Sequence, residues 1–327
     1  MNIGIIGSGS FGIALACLLY DNGHNIKIWS RNVDEVNQIN EKHVMEKYLP
    51  GLKIPYDIKA YEDMEETIND TELIVLAVPS VAIRECSKKL SKYLKNQIIV
   101  NVAKGIEKDT LKRLSCVIEE ETKSEKIAVL SGPSHAEEVA QHMPTVVAVA
   151  SNNKEICEIV SDVFMNEYFR VYPNDDLIGV EVGGALKNVI ALCAGVSDGL
   201  GFGDNTKAGL ITRGLAEITR LGIAMGGKQE TFAGLTGLGD LVVTCASVHS
   251  RNHKAGELIG KGLTPKDAIA EVKMVVEGFN TASAAKKLGE VYNVELPITE
   301  QANKVLYENK NPKEAVLELM VRTKKYE

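Results

Sequence analysis

Lys187 is the residue of this chain whose setting most clearly predicts acid–base chemistry. It lies with Asn188 among small and apolar residues in a predicted helix over 180–196. Burial of an unpaired ammonium is costly, so such a lysine either extends to water or is held in place for use. Desolvation lowers the pKa of a lysine, which suits it to proton transfer near neutral pH. Gly183 and Gly184 leave room for a ligand or a nearby backbone.

Two further charged residues are candidates for the same chemistry. Lys104 follows a predicted strand and precedes Gly105, which aims it at the ligand-binding crevice of the predicted sheet, unless it is a solvated loop lysine. Asp240 is the only carboxylate within 234–244, and an Asp in such a setting usually has a cationic partner. We expect Asp240 to orient Lys187 or to accept a hydrogen bond from a substrate hydroxyl, with helix capping as the alternative.

Ser250, Arg251 and Asn252 form a candidate phosphate site. The arginine offers a planar fork of donors, and its neighbours add neutral ones. Together with the two lysines, this site favours an anionic substrate.

The first dozen residues contain a turn of the kind that binds dinucleotides. Gly7, Gly9 and Gly12 form a G-x-G-x-x-G pattern between a predicted strand and a predicted helix. Gly7 allows the tight turn, Gly9 lets the backbone approach a pyrophosphate, and Gly12 lets the helix pack on the strand. The helix N-terminus offers N–H groups and a positive dipole end to the phosphates.

The residues after the second predicted strand indicate which dinucleotide binds. NAD-specific folds usually carry Asp or Glu there, whereas this chain has Ser30, Arg31 and Asn32. A carboxylate would repel a 2′-phosphate, but an arginine can pair with it through two hydrogen bonds. We therefore expect NADP(H) to be favoured, with NAD(H) as a second possibility. The alternative is that Arg31 is a solvated surface residue.

The elements that must position these residues alternate in the first half of the chain and are helical in the second. Apolar strands separated by helices predict an α/β, Rossmann-type doubly wound, mostly parallel sheet, followed by a C-terminal all-helical domain. We expect a dinucleotide-binding domain over 1–179 and a substrate-binding and catalytic domain over 180–327. Loops are expected at 152–154 and 172–176. The predicted strands are 2–6, 25–29, 73–78, 98–102, 127–130 and 145–150.

Composition limits the function classes. The net charge of −7 over 327 residues argues against general nucleic-acid binding. The six cysteines form no C-x-x-C pair and no cluster with histidine at metal-ligand spacing, so we expect a reducing compartment and no metal. We see no basic leader and no apolar run of membrane-spanning length. The cytoplasm is the expected location.

These motifs together resemble those of bacterial NAD(P)-dependent glycerol-3-phosphate dehydrogenases nearly end to end. The resemblance implies reduction of dihydroxyacetone phosphate to sn-glycerol 3-phosphate for glycerophospholipid synthesis, and a homodimer. It rests on the glycine turn and on the blocks 103–105, 130–136, 185–188, 237–241, 250–252 and 276–278.

The resemblance also assigns roles to individual residues. Lys187 becomes the proton acceptor in oxidation and the donor in reduction, with Lys104 and Asp240 beside it as catalytic residues. The implied substrate-binding residues are Lys104, Gly132, Ser134, Lys187, Asn188, Asp240, Thr244, Ser250, Arg251 and Asn252. The implied cofactor-binding residues are Gly7, Gly9, Ser10, Phe11, Gly12, Arg31, Lys104, Ala136, Arg251, Val275 and Glu277.

Two departures from the family pattern concern the cofactor. Phe11 stands where many relatives carry Trp or Tyr, which keeps an aromatic ring but loses its hydrogen bond. Arg31 stands where some relatives carry His, which moderates the expected NADP preference.

Two other functions stay open from sequence. One is a dehydrogenase of the same architecture for a β-hydroxy acid or sugar acid, in which a substrate carboxylate takes the place of the phosphate. The other is a non-catalytic NADP sensor, which would need the glycine turn and Arg31 but not Lys187.

Overall fold

The computed structural model describes residues 1–324 and 326. The chain divides into two compact units. The first contains Met1–Lys104 and Lys112–Glu181, and the second contains Gly105–Leu111 and the chain from Val182 onward.

The first unit is built on one sheet. Within residues 1–181 its eight strands lie in the order β3-β2-β1-β4-β5-β6-β7-β8, and all neighbours are parallel except β6 and β7. The predicted α/β class with a mostly parallel sheet is therefore confirmed. The strands are β1 (Asn2–Ile6), β2 (Asn25–Trp29), β3 (Lys59–Tyr61), β4 (Leu73–Leu76), β5 (Ile98–Asn101), β6 (Ile127–Ser131), β7 (Thr145–Ser151) and β8 (Phe169–Asn174).

The central strands form because both of their faces are buried. Along β4, Leu73 and Val75 enter one apolar cluster, whereas Ile74 and Leu76 enter another on the opposite face. A strand covered on both sides needs apolar residues at every position, which is why the sequence shows a continuous run there.

Two edge strands, β3 and β8, were not predicted. The expected loop at 172–176 is wrong for its first three residues, which belong to β8. Strand β8 alternates buried Phe169 and Val171 with exposed Arg170 and Tyr172. Pro173 suggests a loop in sequence, but proline is tolerated on an edge strand because no outer neighbour needs its N–H. Strand β3 has only three residues.

Seven α-helices accompany the strands of the first unit, within residues 1–176. They connect and cover the strands, as the alternating pattern predicts. These helices are α1 (Ser10–Asp21), α2 (Val33–Asn37), α3 (Met64–Ile68), α4 (Ile83–Leu90), α5 (Leu114–Thr122), α6 (Ala136–Ala140) and α7 (Lys154–Phe164).

From residue 177 to 324 the chain is helical and contains no strand, as predicted. Three helices begin at a proline, which fits the first helical position because its missing N–H has no intrahelical partner there. The helices are α8 (Leu177–Gly199), α9 (Asp204–Ala224), α10 (Gln229–Ala233), α11 (Asp240–Ala246), α12 (Arg251–Gly260), α13 (Pro265–Val272), α14 (Glu277–Val291), α15 (Pro297–Tyr307) and α16 (Pro312–Met320).

Helix α8 corrects the expectation that no segment is long and apolar enough to cross a membrane. Among the described residues it is the one helix that meets this test by length and composition. However, 89% of its apolar stretch is buried inside the protein. Length and composition alone do not indicate a span here, because a buried core helix passes the same test.

In the second unit, the backbones of α8 and α12 touch at two glycines. A Cβ atom added to Gly195 would lie 1.9 Å from the carbonyl oxygen of His253, and one added to Gly256 would lie 2.0 Å from that of Leu192. No side chain fits at either position. The contact fixes the position of α12 along the axis of α8. Helix α12 begins at Arg251, and α8 contains Lys187.

We predict that Gly195→Ala lowers the free energy of unfolding by about 2 kcal/mol or more, since overpacking forces the two helices apart. The matched control is Gly209→Ala in α9, where an added Cβ meets nothing within 4 Å. That change should raise stability by up to about 1 kcal/mol, because alanine is the better helix former. Urea titration followed by circular dichroism measures both. Equal stabilities for the two variants would contradict the close contact.

Candidate active site

The glycine turn after β1 has the geometry that a pyrophosphate needs. Gly7 has a φ of +122°, and a Cβ there would lie 2.7 Å from the carbonyl oxygen of Ala77. A Cβ on Gly12 would lie 2.1 Å from the carbonyl oxygen of Gly7, whereas one on Gly9 would meet nothing within 4 Å. No side chain caps α1, which begins at Ser10. The turn is therefore tight on its inner side and open at Gly9, so its residues fit a dinucleotide phosphate.

The end of β2 presents one exposed arginine. Arg31 is exposed, and its guanidinium has no ion-pair partner within the described part of the chain. The side chain of Asn32 is occupied, because it accepts a hydrogen bond from the backbone N–H of Asp34 and so caps α2 (2.9 Å). Phe11 is half-buried and packs against the core beneath the turn. Arg31 is thus the member of the Ser30–Asn32 segment that is available to an anionic ligand.

Three predicted residues of the first unit meet at one carbonyl oxygen. The Nζ atom of Lys104 donates to the backbone oxygen of Gly132 at 2.9 Å, and the hydroxyl of Ser134 donates to the same oxygen at 3.0 Å. Lys104 follows β5 and Gly132 follows β6, two parallel neighbours whose carboxyl ends lie at the same edge of the sheet. Ala136 follows at the buried start of α6. The sheet topology therefore brings together residues that are 28 or more positions apart in sequence.

Sequence reasoning missed a buried carboxylate in the first turns of α8. Glu181 accepts hydrogen bonds from the backbone N–H (2.8 Å) and the hydroxyl (2.5 Å) of Ser115, and it pairs with Arg113 at 2.5 Å. These contacts satisfy the backbone N–H of Ser115 in the first turn of α5. The setting of Glu181 among apolar residues was the available signal, since it is the argument that identified Lys187.

Lys187 lies at the centre of the polar contacts in the second unit. Its Nζ atom is 2.6 Å from Oδ1 of Asp240 and 2.6 Å from Oγ1 of Thr244. The lysine is 6% exposed, Asp240 1% and Thr244 3%. Asp240 is the first residue of α11, and its carboxylate faces the lysine; the cap position belongs to Gly239. The contact joins α8 and α11 through a buried ion pair.

The hydroxyl of Thr244 has a defined orientation. It donates its single proton to the backbone oxygen of Asp240 at 2.6 Å. Its lone pairs are then directed to the ammonium of Lys187. Two of the three N–H donors of the ammonium are therefore directed to Asp240 and Thr244.

A chain of amides connects α8 to two further helices, α12 and α14. The side-chain nitrogen of Asn252 donates to Oδ1 of Asn188 at 2.9 Å, and the backbone N–H of Gly278 donates to Oδ1 of Asn252 at 2.8 Å. A Cβ on Gly278 would lie 2.7 Å from the carbonyl oxygen of Asn188, so only glycine fits. The oxygen and one N–H of Asn252 are thus occupied within the protein.

Four other predicted residues of the second unit lie at or just before the start of a helix. Ser250 caps α12 by accepting from the backbone N–H of His253 (3.2 Å). Arg251 is exposed and has no ion-pair partner among the described residues. Val275 is exposed, and Glu277 opens α14. Gly183 approaches backbone and not an open space, because its Cβ would lie 2.7 Å from the oxygen of Thr236.

His253 belongs to a cluster that the sequence did not indicate. Its Nε2 atom lies 2.7 Å from Asp198, which also pairs with Lys207 at 2.7 Å. Burial raises the pKa of Asp198, but the hydrogen bonds from Lys207 and His253 outweigh it, so the pKa lies below its usual value. The cluster ties the first turn of α12 to the last turn of α8.

Comparison with known proteins identifies the family. Residues 2–157 and 176–317 match the N-terminal and C-terminal models described as NAD-dependent glycerol-3-phosphate dehydrogenase. A protein named glycerol-3-phosphate dehydrogenase, NAD(P)⁺, from Fusobacterium nucleatum is 56% identical over 330 residues, covering 100% of this chain and 98% of the relative. The namesake from Agathobacter rectalis is 55% identical, covering 99% and 97%.

A solved structure extends the comparison to the fold. Glycerol-3-phosphate dehydrogenase from Coxiella burnetii superposes with a TM-score of 0.94 at 38% identity, covering 98% of this chain and 99% of the other. With both family models and relatives above 50% identity in agreement, the chain belongs to the NAD-dependent glycerol-3-phosphate dehydrogenase family, as its motifs predicted.

Proposed function

We propose that this chain reduces dihydroxyacetone phosphate to sn-glycerol 3-phosphate with NAD(P)H, and that it supplies glycerophospholipid synthesis. The observation that carries the proposal is the buried ammonium of Lys187, held by Asp240 and Thr244 at 2.6 Å each. The family match and the names of the relatives support the same reaction. A non-catalytic sensor would have no need of a buried ammonium held in this way.

The residues of the first unit that would hold the dinucleotide are those of the glycine turn, with Ser10, Phe11, Arg31, Lys104 and Ala136. For Arg251, Val275 and Glu277 of the second unit, the family resemblance is what supports a part in cofactor binding. The bound nicotinamide would supply the hydride that the reduction needs.

Lys187 handles the proton. As the ketone carbon is reduced, negative charge develops on its oxygen, and a nearby ammonium stabilises that charge. The N–H bond of Lys187 breaks as the O–H bond of the product forms, which leaves a neutral amine beside Asp240. In oxidation the same amine accepts the proton from the hydroxyl. Asp240 and Thr244 hold Nζ in one position, so the proton is delivered in one direction.

Arg251 would bind the phosphate of the substrate. Its guanidinium is exposed at the first position of α12, where the helix N-terminus also favours an anion. Binding of the remote phosphate fixes the position of the carbonyl group, so this interaction contributes to the rate as well as to affinity. Ser250 and Asn252 support the site mainly through the contacts that fix α12.

Four finer points belong to this proposal. We infer that NADP(H) is favoured over NAD(H) because Arg31 is available to a 2′-phosphate. We further infer a homodimer in the cytoplasm, and a functional boundary near residues 179 and 180. The homodimer rests on the family resemblance and on the apolar helices of the second half, and the location rests on the reducing compartment that the cysteine pattern predicts.

We expect Lys187→Ala to lower kcat for dihydroxyacetone phosphate by about 10²–10⁴-fold, because the general acid is lost. The Kd for NADPH, measured by fluorescence titration, should stay within about twofold of the wild-type value. Lys287→Ala, at an exposed lysine of α14, is the control and should keep full activity. Circular dichroism checks folding, since Asp240 loses its partner. Turnover near the wild-type rate would contradict the role of Lys187.

We expect Arg31→Asp to reverse cofactor preference, because it replaces an attraction for the 2′-phosphate by a repulsion. The ratio of kcat/KM for NADPH to that for NADH should fall by about tenfold or more. The control is Lys95→Asp, which makes the same charge change at an exposed residue. Lys95 precedes β5, so it lies where the parallel strands begin, whereas Arg31 lies where they end. An unchanged ratio in the Arg31 variant would show that this residue does not read the 2′-phosphate.

We expect Arg251→Ala to raise KM for dihydroxyacetone phosphate by about 10–100-fold, because a charge-assisted pair is lost. Dihydroxyacetone, which lacks the phosphate, serves as the matched substrate. The variant should use it about as poorly as the wild type does. If the variant lost the same factor with both substrates, Arg251 would have no specific part in phosphate binding.

A further inference from the structure

A buried carboxylate lies against the glycine turn and is used by none of the steps above. Glu35, in α2, is 8% exposed. It accepts hydrogen bonds from three hydroxyls: that of Ser8, that of Ser30 at 2.9 Å, and that of Tyr48 at 3.1 Å. Three donors on one carboxylate make a defined and rigid site.

The two serines give this carboxylate its location. Ser8 lies between Gly7 and Gly9 in the phosphate-binding turn, and Ser30 is the first residue after β2. Their hydroxyl oxygens are 2.8 Å apart. Glu35 therefore joins the turn to the position at which dinucleotide folds distinguish a ribose 2′-hydroxyl from a 2′-phosphate.

Glu35 is an anion at neutral pH. Burial raises its pKa, but the hydrogen bonds from Ser8, Ser30 and Tyr48, with the charge of Lys47, outweigh burial and hold the pKa below its usual value. The offset from Lys47 is partial, since its Nζ atom is 3.6 Å away and its side chain is 60% exposed.

The carboxylate also fixes the hydroxyl protons. A serine hydroxyl has one proton, and Ser30 directs its proton to Glu35. The oxygen of Ser30 also accepts a hydrogen bond from the backbone N–H of Asn32 at 3.2 Å. One lone pair is left, and toward a ligand it can act only as an acceptor. A ribose 2′-hydroxyl can donate to such an oxygen, but a fully ionised 2′-phosphate cannot.

We propose that Glu35 is a specificity-determining residue that opposes binding of the 2′-phosphate and so counterbalances Arg31. The proposal rests on the proposed use of NAD(P)(H). The exposed guanidinium attracts the 2′-phosphate, while the buried carboxylate repels it and prepares Ser30 to receive a hydroxyl. Acceptance of both dinucleotides follows from this opposition.

The experiment compares Kd values for NADPH and NADH in Glu35→Gln, without substrate, by fluorescence titration. The change removes the charge and keeps the size of the side chain. The Kd for NADPH should fall by about fivefold to tenfold, and that for NADH should change by less than about twofold. The difference should shrink as salt is raised, because part of the repulsion is screened. The control is Glu41→Gln, at an exposed carboxylate in Gln38–Lys42, directly after α2. It should change neither Kd value.

Two more variants separate specificity from stability. Tyr48→Phe removes one hydroxyl donor and keeps the charge, so the ratio of the two Kd values should stay unchanged. Ser30→Ala removes the acceptor and should weaken NADH more than NADPH, and it provides the test if Glu35→Gln does not fold. Equal changes in both Kd values for Glu35→Gln or Ser30→Ala, or no change, would overturn the proposal.

The outcome is independent of the proposed reaction. A shift in the ratio of Kd values without turnover of dihydroxyacetone phosphate would support the role of Glu35 and contradict the assigned substrate. Turnover of dihydroxyacetone phosphate with an unshifted ratio of Kd values would support the assigned substrate and contradict the role of Glu35.

Discussion

The buried contact between Lys187 and Asp240 is the interaction on which the proposed chemistry of this protein depends. Two charges removed from water are tolerated only when each has a partner, and loss of one partner leaves the other uncompensated. Thr244 completes the arrangement, since its proton is directed to a backbone oxygen and its lone pairs to the ammonium. Helices α8 and α11 therefore have one favourable relative position, which holds Nζ in place as the proposed proton transfer would require.

The sequence predicted the central part of the sheet better than its edges. Strands such as β4, buried on both faces, show continuous apolar runs, and the glycine pattern marks the end of β1 without ambiguity. Strands β3 and β8 have one neighbour each, so they tolerate short length, alternation and Pro173. Apolar composition was a weaker guide for α8, because a helix buried in a protein and a helix in a lipid bilayer satisfy the same hydropathy criterion.

The candidate site was predictable where one residue was unusual for its surroundings. Lys187 and Asp240 stood out because charges are rare in apolar segments. Glu35 could not be recognised in this way, since it lies in an ordinary polar stretch and its partner Ser8 is 27 positions away. The internal use of the Asn252 amide was equally hidden, because only the packing of three helices brings Asn188 and Gly278 to it.

The amide chain through Asn188, Asn252 and Gly278 is built from neutral groups. Neutral amides neither titrate in the physiological range nor attract counterions, so these bonds keep their strength across changes of acidity and ionic strength. Interactions between exposed charged groups, by contrast, weaken as the ionic strength rises. The charged residues next to the chain, Lys187, Arg251 and Glu277, thus keep their spacing while the ionic strength around them changes.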